Sequence, residues 1–165
     1  MRITCVYSVD EYTTAPWSQT ADASYQKPLF TPTEIPFGLS AIASALKAAN
    51  HEIRLVVVNP LTPLREIFQK EFQEHDPKLF CLTSVSSQFP AIKKVCQVIK
   101  ELDPTVFVLV GGSHPTLAPD DAIEPAEIDA ICLSEGDDAV VELASQLENK
   151  GSCSNIPNLW IKDYK

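Results

Sequence analysis

The sequence predicts an α/β fold, a five-stranded parallel sheet with helices packed on both faces. Three observations predict it. Short strand-like runs alternate with longer segments whose apolar residues recur at helical spacing, the pattern of a parallel sheet built from crossover units. One run, Val106-Phe107-Val108-Leu109-Val110, is apolar throughout, as a strand buried on both faces must be. That run passes directly into Gly111-Gly112-Ser113-His114, where two residues without Cβ let the backbone come close to a large ligand.

The elements follow in order. Ile3–Tyr7 is a short first strand. The stretch from about Ser8 to Ile35, rich in Thr, Pro, Ser and Ala, reads as a long loop, of a length that compact domains reserve for function or leave disordered. Pro36 opens a helix over roughly Phe37–Ala49, because a missing N–H costs nothing in a first turn, and Ile42, Ala45, Leu46 and Ala49 share one stripe of it. Asn50 suits a left-handed exit. Ile53–Val58 is the second strand. Leu64–Glu74 is the second helix, with Leu64, Ile67, Phe68 and Phe72 at helical spacing. Leu79–Thr83 is the third strand. Ala91–Leu102 is the third helix, burying Ile92, Val95, Ile99 and Leu102. After the fourth strand, Val106–Val110, a short helical turn begins near Pro119–Asp120. Asp129–Leu133 is the fifth strand and Asp137–Leu147 the last long helix; Leu159–Ile161 reads as a short final strand or edge. The sum is a three-layer αβα arrangement, flavodoxin-like (Rossmann-like), with expected strand order 2-1-3-4-5 and its switch point between strands one and three. No internal repeat interrupts it, and residues 1–165 are expected to form one domain.

Bulk properties narrow the functions. A formal net charge of −9 argues against nucleic acid or an anionic membrane surface as partner. No apolar run approaches the roughly 20 residues of a membrane span, and the opening MRITCVYSVD reads as a strand rather than a signal peptide, so a cytoplasmic location is expected. The five cysteines, Cys5, Cys81, Cys96, Cys132 and Cys153, show no C-x-x-C spacing and read as reduced structural thiols.

In an open α/β sheet the ligand lies at the carboxyl ends of the strands. There the loops contribute Thr83, Ser84, Val85, Ser86 and Gln88; Gly111, Gly112, Ser113, His114 and Pro115; and Glu135, Gly136 and Asp137. These are the candidate ligand-binding residues. The three loops hold hydroxyls and amides but no Lys or Arg, and the chain has neither G-x-x-x-x-G-K-[ST] nor G-x-G-x-x-G. A triphosphate is poorly matched; a large, mostly neutral, amide-rich ligand with at most one phosphate suits them better. Each group also has a plainer reading: Gly111-Gly112 as a tight turn, the serines as caps of the third helix, Asp137 as cap of the last. Of the three histidines, His51 reads as a solvated turn residue and His75 as a surface residue complementing a helix dipole. Only His114 falls on the rim. No catalytic trio and no metal-ligand set assembles from the sequence.

At this point the chain resembles a known family, the N-terminal cobalamin (vitamin B12)-binding domain of B12-dependent radical S-adenosylmethionine enzymes. The likeness rests on Ile35-Pro36-Phe37-Gly38-Leu39 with its helix, Asn50-His51-Glu52-Ile53, Thr83-Ser84-Val85, Gly111-Gly112-Ser113-His114-Pro115-Thr116 and Glu135-Gly136-Asp137-Asp138. The resemblance implies cobalamin as cofactor. In such domains a Ser-x-Leu after the third strand and a Gly-Gly pair after the fourth contact the nucleotide tail. Thr83-Ser84-Val85 is similar to the first, with Thr83 bonding the tail and Val85 packing on it, and Gly111-Gly112 matches the second. Glu135-Gly136 would border the same pocket.

Two departures sharpen the expectation. Mutases and methionine synthase carry D-x-H-x-x-G after the first strand, whose His binds cobalt; here the stretch from Ser8 to Ile35 has no histidine and Asp10 stands alone. The radical branch commonly lacks that His, so cobalamin would be held without a protein histidine. The radical barrel also needs C-x-x-x-C-x-x-C for its [4Fe-4S] cluster, and none is present. The cluster, S-adenosylmethionine and the catalysis, of methyltransferase or cyclase type, are thus expected in a C-terminal domain outside this chain, which is either an excised domain or a stand-alone binding protein. The alternatives are an FMN electron carrier of flavodoxin type, disfavoured by Asp10-Glu11 where a phosphate would sit, and a degenerate B12-like scaffold without cofactor. A phospho-acceptor receiver is disfavoured by Thr83 at the position of its Asp. The aromatics Tyr12, Trp17, Tyr25 and Phe30 are expected either to cover a corrin or partner face or to anchor the loop.

Overall fold

The computed structural model describes residues 1–9 and 37–162. The expectations for the long loop, for Asp10, for the four aromatics and for Pro36 lie outside the described residues.

The elements are β1 (Arg2–Ser8), α1 (Phe37–Ala48), β2 (Glu52–Val58), α2 (Leu64–Glu74), β3 (Leu79–Thr83), α3 (Phe89–Leu102), β4 (Phe107–Gly111), α4 (Ser113–Leu117), α5 (Pro119–Ile123), β5 (Ala130–Cys132), α6 (Asp137–Asn149) and β6 (Leu159–Ile161). They form one sheet of order β2-β1-β3-β4-β5-β6. The first five strands are parallel and in the predicted order, which places the switch point between β1 and β3.

The sheet corrects the expectation of five strands: β6 pairs antiparallel with β5, Ile131 opposite Trp160. Its register is held at both ends, where the Leu133 N–H donates to the Asn158 carbonyl (2.8 Å) and the Lys162 N–H to that of Asp129 (2.8 Å). Lys150 ends α6 in the left-handed region (φ 54°), and buried Ile156 anchors the returning segment, so no crossover helix is needed. A second difference lies after β4, where one predicted helical turn is two. Gly112 redirects the chain at φ 98° and α4 forms before α5. Pro115 is tolerated in α4 because an N–H in a first turn has no helical partner anyway.

Strand alternation sorts the core into two layers. Phe80, Leu82, Val108, Val110 and Ile131 point to one face and pack with Phe68 of α2, with Phe89, Ile92 and Ile99 of α3, and with Ala122 of α5. Ile3, Cys5, Leu79, Cys81, Leu109, Ala130 and Cys132 point to the other, under Leu39 and Leu46 of α1 and Val140, Leu143 and Ala144 of α6.

Two histidines depart from expectation. His75 is no surface residue: it is 1% exposed. Asp76 turns left-handed (φ 47°) straight into β3, and this folds the ring beneath the sheet, with Nε2 3.2 Å from the Ile3 carbonyl. A carbonyl only accepts, so Nε2 carries the proton. His51 is likewise covered: its Nδ1 accepts from the Met1 ammonium at 3.0 Å. Burial, then the neighbouring ammonium charge, lowers its pKa.

A buried ion pair locks the β4–β5 half of the sheet. The Lys100 ammonium lies 2.7 Å from Asp129 Oδ2, which also accepts from the Val108 N–H (2.7 Å), while Lys100 donates to the Val106 carbonyl (2.8 Å). Removing one partner leaves the other charge stranded. Asp129→Ala is therefore expected to lower unfolding free energy by about 3 kcal/mol in urea titration.

Candidate functional site

At the carboxyl ends of β3, β4 and β5, under α1 and α6, lies a cavity of ≈ 160 Å³. Pleat parity dictates what lines it. Thr83 stands two residues beyond Cys81, and Gly111 two beyond Leu109, so both fall on the α1/α6 face. Leu39 and Ile42 of α1, Cys81, Leu109, Cys132 and Val140 of α6 make apolar walls; Thr83, Ser134, Glu135 and Asp137 make the rim.

The glycines here have different tasks. A Cβ at Gly136 would stand 3.0 Å from Cys132 Sγ and 3.2 Å from Ile42 Cδ1, inside the cavity. A Cβ at Gly111 would meet Cys132 Cβ at 3.5 Å, an ordinary contact, so alanine fits there and a longer side chain would reach into the cavity. Gly112 is required by the backbone. Its φ of 98° belongs to glycine, and a Cβ would lie 2.6 Å from the Ser84 carbonyl oxygen. The plain tight-turn reading thus describes Gly112.

The rim is braced from within. The Ser84 N–H donates to the Gly111 carbonyl (2.9 Å), and the Ser134 N–H to Thr116 Oγ1 (2.9 Å), which itself donates to the Gly112 carbonyl (3.1 Å). Asn158 Nδ2 donates to the Glu135 carbonyl (2.9 Å). These bonds tie the β3, β4, β5 and β6 ends into one frame. Burial pushes the Cys132 thiol up to about 11 and the Cys81 thiol well above its ordinary value, so both are neutral walls.

Of the residues expected from sequence, Thr83, Gly111, Gly112, Glu135, Gly136 and Asp137 meet at this cavity. The others do not line it. Ser84 is buried and its hydroxyl donates to the Val85 carbonyl (2.9 Å). Val85 is 43% exposed and stands apart. Gln88 donates from Nε2 to the Ser8 carbonyl (3.0 Å), joining the β1 end to the β3 loop. Ser113 is exposed and Pro115 buried in α4.

His114 turns to the opposite face. Its N–H donates to the Ser84 carbonyl (3.0 Å), its ring stacks on Phe89 at 4.0 Å, Nδ1 lies 3.2 Å from Ser86 Oγ and Nε2 3.0 Å from Asp121 Oδ2. The fold thus assembles a Ser86–His114–Asp121 trio, which the sequence reading did not. No member of the trio lines the cavity, and the aromatic stacking makes it a brace for the β3 and β4 loops. The walls from α1, with Cys81, Leu109, Cys132 and Val140, were missed as site residues because apolar periodicity marks them only as core. Counting the pleat forward from Cys81 and Leu109 to Thr83 and Gly111 was the available signal.

The cavity thus joins apolar walls to a rim of hydroxyls and carboxylates. The family model of the B12 binding domain matches residues 30–144. The chain is 24% identical over 127 residues to the hopanoid C-3 methylase of Methylococcus capsulatus, covering 75% of this chain and 24% of the relative. It is 28% identical over 130 residues to the anaerobic magnesium-protoporphyrin IX monomethyl ester cyclase of Synechocystis sp., covering 75% and 26%. In structure it is similar to the radical S-adenosylmethionine methyltransferase TsrM of Kitasatospora setae, solved with cobalamin and a [4Fe-4S] cluster. That match has a TM-score of 0.75 at 16% identity and covers 98% of this chain and 27% of the other. The chain therefore spans only a minor part of the length of each relative.

Gly112→Ala is expected to cost at least about 2 kcal/mol of stability in urea unfolding, from left-handed strain and the carbonyl clash together. Gly38→Ala, in the first turn of α1 with nothing within 4 Å of a new Cβ, is expected to fold normally and to gain no more than about 0.5 kcal/mol. Cys132 rises from an ordinary 9.0 to about 11 on folding, so above pH 9 only the unfolded chain readily loses that proton. Its contribution is present below pH 9 and is lost as pH rises through 11. The stability difference between the native chain and Cys132→Ala should shrink from pH 8 to 11 when urea unfolding is measured at each pH.

Proposed function

The chain belongs to the B12-binding domain family, and from that membership we propose that it is the cobalamin-holding module of a B12-dependent radical S-adenosylmethionine enzyme. The observation that carries this reading is the cavity at the switch-point end of the sheet, kept open by Gly111 and Gly136 where side chains would fill it. Leu39, Ile42, Leu109 and Val140 would clasp the nucleotide base, Thr83 would bond its ribose-phosphate arm, and the Glu135–Asp137 rim would face solvent beside it. When bound, cobalamin supplies a cobalt centre able to carry and release a methyl group. The residues here hold its tail and exclude water from the base.

The three histidines support a cofactor held without a protein histidine on cobalt. His51 is paired with the Met1 ammonium, His75 is buried against the Ile3 carbonyl, and His114 is stacked on Phe89. Only His114 stands near the carboxyl ends of the strands, and its ring packs on Phe89 without lining the cavity. The catalytic partner is a C-terminal domain bearing the iron–sulfur cluster and S-adenosylmethionine, of methyltransferase or cyclase type, as in the relatives' names. The five free cysteines suit a reducing cytoplasm. No helix among the described residues is long and apolar enough to cross a membrane. Nothing in the comparisons favours the FMN alternative.

The test is direct. The chain mixed with hydroxocobalamin is expected to shift its visible spectrum and to co-elute with it in gel filtration. Gly111→Val should weaken retention at least about tenfold, because the branched side chain occupies the volume of a buried ring, with circular dichroism unchanged. Absence of retention by the folded native chain would return the reading to a scaffold without cofactor.

A further inference from the structure

Resting on the cobalamin reading above, we infer that this cavity selects among cobamides by their lower base, accepting benzimidazole or phenolic bases and discriminating against purines. The walls that a base would touch are Leu39, Ile42, Leu109, Val140 and the thiols of Cys81 and Cys132. Four are hydrocarbon. The two thiols stay protonated at neutral pH because burial raises their pKa, and a neutral thiol is a poor hydrogen-bonding partner.

Backbone carbonyls beside the walls are already engaged. The Gly111 carbonyl accepts from Ser84, the Gly112 carbonyl from Thr116, the Glu135 carbonyl from Asn158, and the Gly136 carbonyl from Val140. The Ser134 N–H is committed to Thr116 Oγ1. Thr83 keeps a hydroxyl available, but at the rim, where the ribose-phosphate arm would lie.

Within these walls, adenine would set an exocyclic amine against carbonyls that are already engaged, and ring nitrogens against hydrocarbon and thiol groups. Dimethylbenzimidazole has one free ring nitrogen and two methyl groups, and p-cresol has no ring nitrogen at all. A polar group buried without a partner loses its hydration and gains nothing in return. Apolar walls also draw favourable contact from the methyl groups. The discrimination therefore acts against the purine rather than for any one benzimidazole.

The experiment titrates the chain with four probes in the same buffer, followed by visible absorbance and gel filtration: cobalamin, the p-cresolyl cobamide, the adeninyl cobamide, and cobinamide, which has no nucleotide tail. The expected result is similar affinity for the first two, at least about tenfold weaker binding of the adeninyl cobamide, and the weakest binding for cobinamide. Adeninyl cobamide bound within threefold of cobalamin would overturn base selection while leaving cobalamin binding intact. Cobinamide bound as tightly as cobalamin would also overturn it, since the tail would then lie outside the cavity. Failure of all four with the fold intact would overturn the cobalamin reading itself and this inference with it.

Discussion

The site depends on one close approach, the backbone of Gly112 against Ser84. At φ 98° the chain leaves β4 sharply enough for the His114 N–H to reach the Ser84 carbonyl, while the Ser84 N–H holds the Gly111 carbonyl. These two bonds join the ends of β3 and β4 beyond the last ladder pair, Thr83 with Gly111. They set the width of the cavity mouth, the start of α4, and the seat of His114 on Phe89. A side chain at Gly112 would force the two loops apart, and each of those features depends on their staying together.

Strand parity then assigns each residue to a role. The same alternation that sends Leu82 and Val110 into the α2/α3 core sends Cys81, Thr83, Leu109 and Gly111 toward α1 and α6. The helices on that face cannot close over the strand ends completely, because Gly111 and Gly136 contribute no volume there. The cavity is thus a continuation of the hydrophobic layer from which two side chains are missing. That explains why its walls are core residues and its polar side chains are on the rim. The neutral thiols of Cys81 and Cys132 belong to that layer too, since burial that stabilises the core also suppresses their ionisation.

Much of the fold was legible because its signals are local. The second helix and third strand match their predicted bounds, Leu64–Glu74 and Leu79–Thr83, since Pro63 and the Asp76-Pro77 turn mark their limits. The strand order followed from alternation and crossover rules. The sixth strand was legible only as an edge, because three residues carry no period and their direction depends on how the chain returns from α6. The site was half legible. Thr83, Gly111, Gly136 and Asp137 announce themselves as polar or glycine residues at strand ends. Ser84, Gln88 and His114 carry the same signal yet face the other layer, where they brace loops.

By itself the sequence determined the first five strands, their parallel order and the long helices between them, because periodicity, turn chemistry and connection rules are read residue by residue. Only the tertiary structure decided which loop residues share a cavity, that His51 and His75 are covered, and that α1 supplies a wall. Those facts depend on which face each side chain takes and on what packs across it. An apolar residue such as Ile42 looks the same in sequence whether it faces a filled core or a cavity two glycines wide.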